Sequence, residues 1–168
     1  MTQALEHTTV NVYEAEKALR FMLDHPGSLV TAFGSVFTVP TERKFGDLAG
    51  VQRYVNLVWE REAPAGTKAP AVRERGGNRA AHYEPLTHVI AVPGHEGVKH
   101  SWAMRETVVL HELAHALTRT AEDVGGHGPE FTQKFVDLVT EYIAPEAGFI
   151  LSVEYAQRGV QIGNFAVK

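Results

Sequence analysis

The chain has 168 residues, with 16 basic and 20 acidic side chains, a net charge of −4 and no cysteine. Its 44% hydrophobic and 21% charged content is that of a soluble globular protein long enough to bury a core. These figures exclude a disulfide scaffold and a thiolate metal site, and they offer none of the bulk positive charge that marks a nucleic-acid binder.

The N-terminal Met-Thr-Gln-Ala-Leu-Glu-His lacks a basic region followed by an apolar run, so no signal peptide is expected. No stretch approaches the roughly 18 apolar residues that a membrane helix needs, and cytoplasmic residence is the expectation. Repeats, low-complexity tracts and linkers are all missing from the sequence, which predicts one domain over residues 1–168.

In chain order, Val12 to Leu23 carries apolar residues near helical spacing and stops at Asp24-His25-Pro26-Gly27, a strong breaker. Leu29 to Val39 is rich in β-formers and interrupted at Gly34-Ser35, which predicts two short strands or one bent hairpin. Phe45 to Glu60 reads as a helix: Leu48, Val51, Tyr54, Val55 and Val58 share a face, and Asp47 suits its cap. Glu62 to Pro70 is a loop. Three strands follow, Ala71 to Arg75, Arg79 to Tyr83 and Thr87 to Val92, joined by turns at Gly76-Gly77 and Glu84-Pro85. The loop Pro93-Gly94-His95-Glu96-Gly97 leads into a helix from about Trp102 to Thr118. A second amphipathic helix starts at Pro129, with Phe131, Phe135, Leu138, Val139 and Tyr142 on one face. The last helix, Pro145 to Gln157, ends at Arg158-Gly159, where glycine suits the position after the helix.

The helix from Trp102 contains His111-Glu112-Leu113-Ala114-His115. Residues four apart project from one helical face, so two imidazoles there can share one tetrahedral Zn²⁺. Glu112, a quarter turn away, can reach a water held by the metal rather than the metal itself, which is where a general base belongs. Met104, Val108, Glu112 and His115 fall on the side of His111, while Trp102, Val109, Leu110, Leu113 and Leu117 collect opposite. One buried face and one face presenting the motif are therefore expected; only Glu106 interrupts the apolar stripe. The bland alternative is a histidine pair on an ordinary helix with Glu112 as solvated surface.

A zinc enzyme needs a third protein ligand and one open position. His127 lies on a turn flanked by Gly125, Gly126 and Gly128, free to be aimed back at the motif, and is the expected ligand. Its rivals are Glu122, Asp123 and Glu130. The short metzincin spacing does not apply, because Ala121 occupies the position six residues after the second histidine. The alternative for His127 is a turn histidine that caps a helix.

The pairing of His-Glu-x-x-His with a downstream Gly-His-Gly-Pro-Glu-Phe resembles the SprT-like (Spartan-type) zincin metallopeptidases, and is closer still to a small bacterial family of metallohydrolases of similar length. The resemblance is specific over residues 108–135 and extends more loosely over 79–107. It implies an α+β class, a compact zincin-like fold with a small, mostly antiparallel sheet packed on helices that include the metal-binding one. It also implies Zn²⁺ on His111, His115 and His127 with Glu112 as general base. SprT-like proteases commonly carry cysteine-based zinc or DNA-binding modules; this chain has no cysteine, so a DNA-linked role is not carried over.

In zincins the strand upstream of the metal helix lies at the sheet edge and pairs with an extended peptide. By that likeness Thr87, His88, Val89, Ile90, Ala91 and Val92 are expected to bind substrate by strand addition, the alternative being a strand paired on both sides. Of His82, His88, His95 and His100, most are expected to serve surface or packing roles and at best one to support the transition state. Tyr83 or Tyr155 would suit oxyanion stabilisation, and spacing selects neither. The expected function is zinc-dependent hydrolysis of a peptide bond in a peptide or protein substrate, with Glu112 taking a proton from water and returning it to the leaving amine. Another amide hydrolase using the same groups is the alternative, as is a non-catalytic zinc-stabilised binding or regulatory domain, against which Glu112 argues because a structural site has no use for a base.

Overall fold

The computed structural model describes residues 2–76, 80–93, 102–118 and 126–163, with side chains from residue 9 onward. Among these residues, five helices and five strands follow in this order: α1 (Thr2–Leu23), β1 (Leu29–Ala32), β2 (Ser35–Thr38), α2 (Leu48–Glu62), β3 (Ala71–Arg75), β4 (His82–Glu84), β5 (Val89–Pro93), α3 (Glu106–Thr118), α4 (Pro129–Tyr142) and α5 (Pro145–Gln157). The class is mixed α+β, as expected. The chain divides into two compact units, Met1–Glu42 with Asp123–Lys168, and Arg43–Glu122. No helix among the described residues is long and apolar enough to cross a membrane.

The first unit takes both ends of the chain. Val12, Ala15, Leu19 and Leu23 are buried at the spacing of one helical stripe, and α1 packs on α5, which packs on α4. The helix begins at Thr2, well before the predicted Val12, because its first turns carry no regular apolar stripe for periodicity to register. Leu29 to Val39 forms an antiparallel hairpin with Leu29 opposite Thr38 and Ala32 opposite Ser35. Its two turn residues, Phe33 and Gly34, both have positive φ, 53° and 79°, the backbone twist that a two-residue hairpin favours. Pro129 and Pro145 open α4 and α5 at the predicted positions, where a missing N–H costs nothing. Gly159 follows α5 with φ of 67°, as its predicted role requires.

The second unit places α2 and α3 on a three-stranded sheet. Asp47 caps α2 as expected, its Oδ1 accepting from the Gly50 N–H at 2.6 Å. Strand order is β3-β5-β4. The β3–β5 pair is parallel, Ala71 opposite Val89 through Arg75 opposite Pro93, and β4–β5 is antiparallel, His82 opposite Ala91. Two corrections follow. The sheet is mixed rather than mostly antiparallel, and β5 is its central strand rather than an edge. Ile90, Ala91 and Val92 are fully buried accordingly. Of the predicted strand Arg79 to Tyr83, only its end survives in β4, Arg79 lying outside the described residues with Gly77 and the loop residues 94–97. Thr87 and His88 belong to the turn before β5, and His88 has φ of 54°.

The helix bearing the motif starts at Glu106, not at Trp102. The preceding residues are claimed by an extended partner: Lys44 bridges Arg105, the Phe45 N–H donates to the Met104 carbonyl at 2.9 Å, and the Glu106 N–H donates to the Arg43 carbonyl at 3.0 Å. Trp102, expected in the core stripe, is 43% exposed. The two-faced reading of this helix is also overturned, since every residue from Glu106 to His115 is buried. A helix covered all round needs no polar face, and its polar residues must then be explained one by one.

Candidate metal centre

Glu106, the interruption in the apolar stripe, is fully buried and matched. Its Oε1 accepts from the Tyr54 hydroxyl at 2.5 Å and from Arg43 Nη1 at 2.5 Å, while Oε2 accepts from the Arg43 backbone N–H at 3.0 Å. The Arg43 guanidinium lies 5.9 Å from the centre of the Tyr54 ring, and its hydrogen bond to Glu106 holds its pKa above the ordinary arginine value. A carboxylate with that many charge-assisted bonds is tolerable inside a protein. The network fixes where α3 begins, and thereby the turn on which the motif sits.

One turn further along, His111 and His115 are 4% and 7% exposed. Their ring centroids stand 4.8 Å apart and their Nε2 atoms 3.2 Å apart. Two ligands on a tetrahedral ion with bonds of 2.0–2.1 Å would lie about 3.3 Å from each other, so these nitrogens already have the spacing that a shared ion imposes. Glu112, between them in sequence, is 5% exposed.

His127 precedes α4. Gly126 has φ of 70°, a left-handed turn that glycine adopts without strain, and Gly128 is the N-cap with extended backbone. The imidazole is buried, with the rings of Tyr13 and Phe131 edge-on to it at centroid distances of 5.1 and 4.7 Å. His111, His115 and His127 are each buried and could hold a metal ion, each offering one ring nitrogen. Of the rival ligands, Glu130 is exposed and is not one of them; Glu122 and Asp123 lie outside the described residues.

The expected substrate strand is not available in the form anticipated. Val89, Ile90, Ala91 and Val92 have β3 on one side and β4 on the other, so the central strand has no free edge for an added peptide, and Thr87 and His88 precede it in a turn. His88 has a packing role: its Nε2 donates to the Lys68 carbonyl at 2.8 Å, leaving Nδ1 to accept from the Tyr83 hydroxyl at 2.7 Å. His82 hydrogen-bonds Glu84 at 3.1 Å on the sheet; His95 and His100 lie outside the described residues. Tyr83 therefore hydrogen-bonds His88 and packs edge-on against its ring. Tyr155, the other oxyanion candidate, is fully buried in the first unit, where burial, with a smaller contribution from Glu16, raises its pKa well above the ordinary value. Tyr13 is the aromatic that sequence reasoning missed, and nothing in local spacing links it to residue 127. No family model, curated protein or solved structure matches this chain, so any functional reading stands on its own residues.

Proposed function

We propose that the protein is a zinc-dependent hydrolase, in the first place a metallopeptidase of the SprT-like zincin kind, with His111, His115 and His127 as zinc ligands and Glu112 as general base. The observation that carries this reading is the pair of Nε2 atoms 3.2 Å apart on α3. The donor set fits the ion: three imidazoles, neutral near pH 7, suit Zn²⁺ or a neighbouring divalent transition metal, and burying three polar rings together is costly unless their nitrogens are bound. A zinc ion held there would polarise a scissile carbonyl and make water a competent nucleophile near neutral pH. Glu112 takes the proton from the attacking water and delivers it to the leaving amine, restoring its own carboxylate. The deep burial of these four side chains favours one alternative, a metal that stabilises a binding or regulatory domain.

Glu112→Gln separates the two. It keeps the shape and removes the proton acceptor, so zinc stoichiometry measured on protein purified without chelator should stay at one per chain. Turnover of a peptide substrate, identified with a mixed peptide library, should fall by roughly 10²–10⁴-fold. Full turnover in the variant removes Glu112 from catalysis. Wild-type protein that neither contains nor takes up a divalent metal removes the centre altogether.

A further inference from the structure

We propose that Tyr13 is a positioning residue for His127, holding the plane of that imidazole by ring packing; this rests on the reading of His127 as a metal ligand. A metal takes the lone pair of a ring nitrogen within the plane of the ring, so a ligand histidine must be fixed in rotation as well as in place. The backbone beside His127 does little of this work. Gly126 has φ of 70° and a Cβ added at Gly128 would meet nothing within 4 Å, so neither flanking residue packs the imidazole into one orientation.

Two aromatic rings supply the constraint. Phe131 stands 4.7 Å from His127 at an interplanar angle of 89°, and Tyr13 stands 5.1 Å away at 69°. Edge-to-face contacts of this kind are directional, because the positive ring edge meets the negative ring face. Phe131 is 3% exposed and belongs to the core whatever it does for His127. Tyr13 is different. The core face of α1 is formed by Val12, Ala15, Leu19 and Leu23, whereas Tyr13 is 43% exposed yet lies against a histidine that is only 8% exposed. Core burial does not require a large aromatic at that position; orienting and covering the imidazole does.

The test is zinc affinity by competition with a chromophoric chelator on the full chain, together with the visible spectrum of the Co²⁺-substituted protein, which reports ligand geometry. Tyr13→Ala should weaken zinc binding by about two- to tenfold, the range an edge-on aromatic pair covers, and shift the Co²⁺ bands. Tyr13→Phe keeps the ring and should match wild type in both. Unchanged affinity and spectrum in Tyr13→Ala overturn the proposal, as does a Tyr13→Phe loss equal to that of Tyr13→Ala. If Tyr13→Ala melts early in the metal-free state, Tyr13→Leu decides: it keeps apolar bulk without an aromatic edge and should still bind zinc more weakly, wild-type affinity there overturning the proposal. A wild-type protein that binds no zinc is a distinct result, which overturns the metal centre itself and this inference with it.

Discussion

A carboxylate deep in a protein survives only where its oxygens are matched, and Glu106 shows how this chain meets that condition. Tyr54 and Arg43, from the helix and segment before the sheet, both reach its Oε1 at 2.5 Å. Arg43 is 63% exposed at its side chain, so water can replace part of its contribution; Tyr54 is 8% exposed and its hydroxyl has no such substitute. Tyr54→Phe should therefore lower unfolding stability by about 1.5–3 kcal/mol, the worth of a hydrogen bond to a charged group, measured by urea denaturation. A loss below about 0.5 kcal/mol would mean that solvent reaches Glu106 after all.

Tyr155 presents the opposite case. Its hydroxyl is buried with no hydrogen-bond partner among the described residues, and burial foremost, then the Glu16 carboxylate, holds the phenol in its neutral form. The folded pKa lies above the unfolded value of about 10, so the folded state keeps its proton where the unfolded chain has released it. Stability from this group is complete below pH 10 and is lost as pH rises from there toward the folded pKa. Tyr155→Phe should leave stability at pH 7 unchanged or raised, because it removes an unsatisfied polar atom, and should flatten the alkaline fall in melting temperature. A clear loss at pH 7 would show that the hydroxyl has a bonding partner in solution.

At the scale of elements, α4 and α5 approach each other closely at Gly148. A Cβ built at Gly148 would stand 1.9 Å from Thr140 Oγ1 and 3.1 Å from its Cα, so the contact involves backbone as well as a side chain that could turn. Alanine normally favours a helix over glycine by about 1 kcal/mol, but here overpacking should win and Gly148→Ala should destabilise by roughly 1–3 kcal/mol. A variant that melts higher than wild type would show that the two helices can part without cost.

What was legible in the sequence at this scale is what local chemistry determines. Pro129, Pro145 and Gly159 act within one turn of themselves, and the helices they bound begin and end where expected. Asp47 is equally local, and so is the hairpin turn, expected at Gly34-Ser35 and found one residue earlier at Phe33-Gly34. Strand order is not: β3 pairs with β5 and passes over β4 in sequence, so the strand expected at the edge became the centre. The start of α3 was hidden for the same reason, since its limit is set by Arg43, Lys44 and Phe45, some sixty residues upstream. The candidate site divides along this line too. His111, Glu112 and His115 declare themselves by helical spacing and His127 by its glycine turn, whereas Tyr13 and the partners of Glu106 are distant in sequence and leave no pattern.

For the whole molecule, a bound metal links function to stability by mass action. A ligand that binds only the folded chain stabilises it in proportion to the logarithm of its concentration over Kd, about 2.7 kcal/mol at one hundred times Kd. A site made by His111, His115 and His127 would come together only on folding, since His111 and His127 are sixteen residues apart in the chain, so the unfolded protein offers no comparable site. Zinc should accordingly raise the melting temperature of wild-type protein in a dose-dependent way, and a chelator should return it to the metal-free value. His127→Ala should melt close to chelated wild type and gain little from zinc, because two imidazoles alone hold the ion far more weakly. Glu112→Gln should gain the full increment, because its carboxylate binds no metal in this scheme. A His127→Ala protein that still responds to zinc as wild type does would transfer the third ligand to another residue, and a Glu112→Gln protein that responds to none would make the carboxylate part of the metal centre rather than its base.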